Sequence, residues 1–154
     1  MQMTEKTSFS LHGRHILVTG ASSGIGLNIC RSIVASGGKV TGVARRADLL
    51  REMVKELGED NASFIEADLA SDAGIEKVVA GIPEINGLVH AVGISKLSPL
   101  KFIKRQSLEE VMNVNYFSMV LLLAQITRHK KLQRNTNSSV VLISSVAQQI
   151  GTKS

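Results

Sequence analysis

Eight residues near the N-terminus, Thr19-Gly20-Ala21-Ser22-Ser23-Gly24-Ile25-Gly26, leave this chain few ways to fold. They lie between an apolar run, His15 to Thr19, and a stretch from Ile25 in which Ile29, Cys30, Ile33 and Val34 recur at helical spacing. A strand that passes through glycines straight into a helix brings bare backbone and a helix N-terminus together. A Cβ there would keep the main chain away from an anion, and the helix end behind offers free N–H donors and a positive dipole. Gly20, Gly24 and Gly26 fall where those demands lie, and Ser22, Ser23 and Ile25 complete a turn expected to cradle phosphate. A plain strand-to-helix turn is the alternative, and the flanking elements weigh against it.

The same alternation continues along the chain. Lys39 to Val43 reads as a second strand, and Leu49, Leu50, Met53, Val54 and Leu57 as a helix closed by Gly58. Gly37-Gly38 supplies a left-handed stop to the first helix. Ala62 to Glu66 is a third strand, Ser71 caps a helix carrying Ile75, Val78, Val79 and Ile82 before Pro83, and Gly87 to Ala91 is a fourth. Ser107 and Glu110 read as a capping box opening a long helix that reaches about His129, and Ser139 to Ser144 is a fifth strand. Strand and helix in strict turn predict an α/β fold, a doubly wound parallel sheet. One domain over 15–154 preceded by an extension over 1–14 accounts for the 154 residues.

Composition narrows the functional classes. With 44% hydrophobic and 20% charged residues, the chain reads as an ordered globular protein. Its longest apolar run, Met119 to Ala124, is far short of the roughly 20 residues that span a bilayer. A single cysteine and no signal-like N-terminus favour a reducing cytoplasm, and neither metal nor membrane is expected. A net charge of +5 invites a nucleic-acid reading, but the cations are dispersed and only 3% of residues are aromatic, too few for a stacking platform. A phosphorylated small molecule fits better.

Five features in register resemble the short-chain dehydrogenase/reductase family. They are the T-G-x-x-x-G-x-G turn, Asp68-Leu69 after the third strand, Gly93 after the fourth, Asn115 within the long helix and Ser144-Ser145 after the fifth. The resemblance runs from about His15 to Ser154 and implies a Rossmann-type sheet in the order 3-2-1-4-5 with a nicotinamide cofactor across its carboxyl ends. It implies that Ser145 polarises a substrate carbonyl, that Asn115 bends its helix and organises a proton-relay water, and that Asp68 contacts adenine. The fourth-strand motif departs from the family's Asn-Asn-Ala-Gly: here it is His90-Ala91-Val92-Gly93. Ala91 and Gly93 still allow backbone approach to the cofactor, while His90 reads as a satisfied core side chain.

In such a fold the residues after the second strand choose between nicotinamide cofactors, an acid taking a free ribose hydroxyl and cations a 2′-phosphate. Arg45 and Arg46 stand there and no acid does, so NADP(H) is expected over NAD(H); a solvated pair with Asp48 is the bland alternative. Ser23 adds little to that preference, since similar proteins often carry a second cation there.

The family's Tyr-x-x-x-Lys pair, which lets a phenol act as general acid, is not found; Tyr116 has no lysine four residues on. Two functions stay open: an NADP(H)-dependent oxidoreductase acting on a small carbonyl or alcohol substrate, and a catalytically inactive nucleotide-binding module. Strand five would leave Val140, Val141, Leu142 and Ile143 on an open edge, so a sheet truncated there, and a longer parent reductase, is the expectation. The long helix, apolar nearly all round from Leu108 to Ile126, predicts a homodimer or homotetramer.

Overall fold

Each apolar run becomes a strand and each amphipathic stretch a helix laid against it. The computed structural model describes residues 9–133 and 137–145. In it β1 (His15–Thr19) leads into α1 (Gly24–Ala35), β2 (Lys39–Ala44) into α2 (Ala47–Leu57) and β3 (Ala62–Glu66) into α3 (Asp72–Gly81). β4 (Gly87–His90) is followed by a loop with a 3₁₀ turn at Leu100–Phe102. Then come α4 (Arg105–Met112), a π turn (Asn113–Phe117), α5 (Ser118–Arg128) and β5 (Ser139–Leu142).

The five strands form one parallel sheet in the order β3-β2-β1-β4-β5, the expected doubly wound arrangement. Its order reverses between β1 and β4, which opens a crevice at the carboxyl ends of those strands. Register sets Thr19 beside both Val43 and His90. Because side chains alternate along a strand, Leu17 joins the core beneath α3 and α5 with Val78, Leu122 and Ile126, while Val18 joins the core beneath α1 and α2 with Cys30, Leu50 and Met53. Burial pushes the Cys30 thiol up to about 12.

The helix ends follow the local chemistry. The Gly37 and Gly38 amides donate to Val34 and Ile33 carbonyls at 2.9 and 3.0 Å with Gly37 at φ +83°, the anticipated left-handed stop. Ser71 Oγ accepts from the Gly74 amide at 3.1 Å and caps α3 as read. The capping box at Ser107 and Glu110 is not formed. α4 begins at Arg105 behind Lys104, Ser107 Oγ donates to the Lys104 carbonyl at 2.7 Å, and Glu110 pairs with Lys96 of the loop after β4. A tertiary ion pair has taken the carboxylate that the local motif needs.

Leu11 packs on the core beneath α1, its amide donating to Ser36 O at 2.9 Å. The start of the 1–14 extension and the far end of the 15–154 unit lie outside the described residues. Apolar residues are exposed on β5 and on the long helical segment, as well as in the loop after β4. On β5, Val140, Val141 and Leu142 keep 37–47% of their surface, and on the long helical segment Met112, Phe117 and Leu121 keep 44–46%.

Candidate functional site

The crevice between β1 and β4 is a cleft of about 290 Å³. Its floor is the glycine turn. A Cβ on Gly20 would meet Ala91 O at 2.8 Å, and one on Gly26 would meet Gly20 O at 2.3 Å, so turn, helix and β4 pack backbone on backbone. Behind them α1 starts with Ser23 as N-cap, with no side-chain cap bond and no acid in its first turn. Its leading N–H groups and dipole are left for an outside anion.

Of the expected cofactor-binding residues, Gly20, Ser22, Ser23, Ile25, Gly26, Arg45, Arg46, Ala91 and Gly93 line this cleft. Three others do not. Gly24 opens α1, and Leu69 is buried in the core beneath α3. Asp68 is exposed and accepts from the Ala70 amide at 3.0 Å, the bond of a turn-forming carboxylate. The structure brings in Ala44, Val92, Ile94 and Val114, apolar residues with no sequence signature of their own.

Arg46, the residue before α2, reaches back over the glycine turn and donates from Nη2 to Ser22 Oγ at 3.0 Å and to Ser23 Oγ at 2.8 Å. Among the described residues no direct ion pair joins either arginine to Asp48. Ser23, given little weight from sequence, instead holds the guanidinium in place. Such a hydroxyl contribution leaves no mark in a charge pattern.

A larger cavity of about 810 Å³ adjoins the cleft, Ile94 lining both. Asn115 and Ser145 both line it, and the Lys96–Glu110 pair lies among its walls. Asn115 sits in the π turn, where its Oδ1 accepts from the Ile94 amide and its Nδ2 donates to the Ile94 carbonyl, each at 2.8 Å. The carboxamide thereby pins the strand-four loop against the long helical segment. His90 is buried as read, and burial pushes its pKa down to about 4.

Residues 14–154 match the family model described as short chain dehydrogenase. The chain belongs to the short chain dehydrogenase family. The chain is 34% identical over 120 residues to the galactitol 2-dehydrogenase (L-tagatose-forming) of Cereibacter sphaeroides, covering 76% of the chain and 47% of that protein. It is 32% identical over 143 residues to the L-xylulose reductase of Caenorhabditis elegans, covering 91% and 57%. The actinorhodin polyketide ketoreductase crystallised with NADPH superposes at TM-score 0.81 with 29% identity, over 90% of this chain and 56% of that one. The chain spans about half the length of such relatives. Among the described residues of this family member, no helix is long and apolar enough to cross a membrane.

Proposed function

We propose that this protein is an NADP(H)-dependent oxidoreductase that moves hydride between the nicotinamide and a small carbonyl or alcohol substrate. The observation that carries the cofactor preference is the Arg46 guanidinium, held by the Ser22 and Ser23 hydroxyls at the edge of the cleft. The residues fit a dinucleotide. Gly20 and Gly26 leave backbone where a diphosphate must approach, α1 presents uncapped amides, and Arg46 with Arg45 supplies positive charge for a 2′-phosphate. The NADPH and NADP⁺ in the ketoreductase and serine dehydrogenase crystals point the same way. When bound, the cofactor supplies the hydride. In this reading Ser145 polarises the carbonyl and Asn115 holds the loop that borders both cavities.

The large cavity beside Asn115 and Ser145 is the place for the substrate, and assembly as a homodimer or homotetramer would cover the exposed apolar residues of the long helical segment. Asp68 keeps a proposed role toward adenine only if its turn bond to Ala70 yields. A second reading is a nucleotide-binding module that binds without turnover.

Titration of NADPH fluorescence with NADH as competitor, followed by turnover assays on ketones and polyols, tests both readings. Tighter NADPH binding that Arg46→Ala weakens supports the first, and turnover then rules out the second. Preference for NADH, or indifference to Arg46→Ala, overturns the cofactor assignment.

A further inference from the structure

Behind the cleft runs a buried relay of hydrogen bonds that the catalytic reading does not use. The Ala91 amide donates to Thr19 Oγ1 at 3.1 Å, and Thr19 Oγ1 lies 3.2 Å from His90 Nδ1. On the far side of the ring, His90 Nε2 lies 3.5 Å from Ser118 Oγ, and Ser118 donates to the Val114 carbonyl at 2.6 Å. The direction of every bond follows from its ends. Ser118 has given its proton to the Val114 carbonyl, so its oxygen faces an N–H on Nε2; a neutral ring protonated there presents a bare Nδ1, which accepts from the Thr19 hydroxyl while Thr19 Oγ1 accepts from the Ala91 amide. A neutral imidazole protonated on Nε2 satisfies all four groups, and among the described residues no buried side-chain nitrogen or oxygen is left without a partner.

We infer that His90 is a positioning residue that latches the two walls of the nucleotide cleft, the glycine turn after β1 and the π turn before α5. Thr19 immediately precedes Gly20, and Val114 belongs to the π turn; Gly20 and Val114 both line the cleft. The walls come from segments 95 residues apart in sequence that no strand pairing joins directly. β4 stands between them, and an imidazole is long enough to bond on both sides at once. A π turn also breaks the regular carbonyl ladder of the helix, and the Ser118 hydroxyl takes up Val114 O at that break. The inference rests on the reading of the cleft as a dinucleotide site and adds the residue that sets its width.

The test compares NADPH affinity of the unchanged chain with those of His90→Phe, His90→Asn and Ser118→Ala, each checked for folding by circular dichroism. Phenylalanine fills the ring's volume but bonds to neither wall, and NADPH binding is expected to weaken about tenfold, the worth of a lost buried relay. Asparagine can still accept from Thr19 but does not reach Ser118. It should lose roughly threefold, as should Ser118→Ala, which removes the far end alone. In the ¹⁵N NMR spectrum of the unchanged protein, Nε2 of His90 should carry the proton and Nδ1 should not.

If His90→Phe does not fold, Ser118→Ala with the nitrogen spectrum decides. Unaltered affinity in every folded variant, or a proton on Nδ1, overturns the latch while leaving the nucleotide reading in place. Failure of the unchanged chain to bind NADPH removes the nucleotide reading and the latch together.

Discussion

Arg46 is anchored to Ser23 across the mouth of the cleft, Nη2 to Oγ at 2.8 Å, so its charge is fixed by the same turn that carries the glycines. A guanidinium held in this way has already given up part of its rotamer freedom and meets an anion at reduced entropic cost. Arg46→Ala is expected to weaken NADPH about 10- to 100-fold, the range of one charge-assisted contact, with NADH changed by less than about threefold. Ser23→Ala should move NADPH affinity in the same direction by a smaller factor. Fluorescence titrations with both nucleotides check the pair.

Gly26→Ala drives a methyl into the Gly20 carbonyl, where it would sit 2.3 Å away with only backbone to yield. The turn must open or α1 must shift. A stability loss of about 1–3 kcal/mol is expected, the usual cost of overpacking, together with loss of nucleotide binding. Urea denaturation and an NADPH titration on one sample separate the two effects. An unchanged midpoint would mean that α1 does not pack on the turn as described.

Acid should destabilise the protein through the buried His90 and the half-buried His15. Burial holds His90 at about 4, and His15 is lowered by burial and then by the charge of Lys39. An unfolded histidine titrates near 6.5, so between the two values the unfolded chain binds protons that the folded chain refuses. Their depressed values cost no stability above pH 6.5, and for His90 the cost grows to about 3 kcal/mol as the pH falls to 4. Urea midpoints at pH 7 and pH 4.5 for the unchanged protein and His90→Asn give the check: the variant's acid loss should be smaller. Parallel losses would contradict the sign argued here.

Asn115→Ala deletes both bonds to Ile94 and frees the loop after β4 from the π turn. Because the pair is exposed, a modest destabilisation of about 1–2 kcal/mol is expected. Hydrogen exchange at the Ile94 amide should quicken by tenfold or more, since its acceptor is gone. Protection that persists would mean another group holds that loop.

The fold was legible because its signals are local and repeated. Glycines follow a β-branched run at Thr19-Gly20, Gly37 and Gly58 sit where helices end, and Ser71 stands one residue before α3. Those are choices a short window of chain makes by itself. Reading failed where distant segments decide. Glu110 answers Lys96 rather than Ser107, and Val114 reaches the cleft only because a π turn sets it there. Ser22 and Ser23 matter for the side chain they steady, and periodicity carries no trace of a hydroxyl pointing at an arginine 23 residues away.

Cys30 lies wholly out of solvent on the inner face of α1, and its proton is hard to remove. The chain's one sulfhydryl is therefore a stopwatch for breathing. A maleimide dye can react only while that helix lifts away from the strands, so the pace of labelling counts those excursions directly. A dinucleotide clamped on the N-terminus of the same helix would slow the count without touching the sulfur.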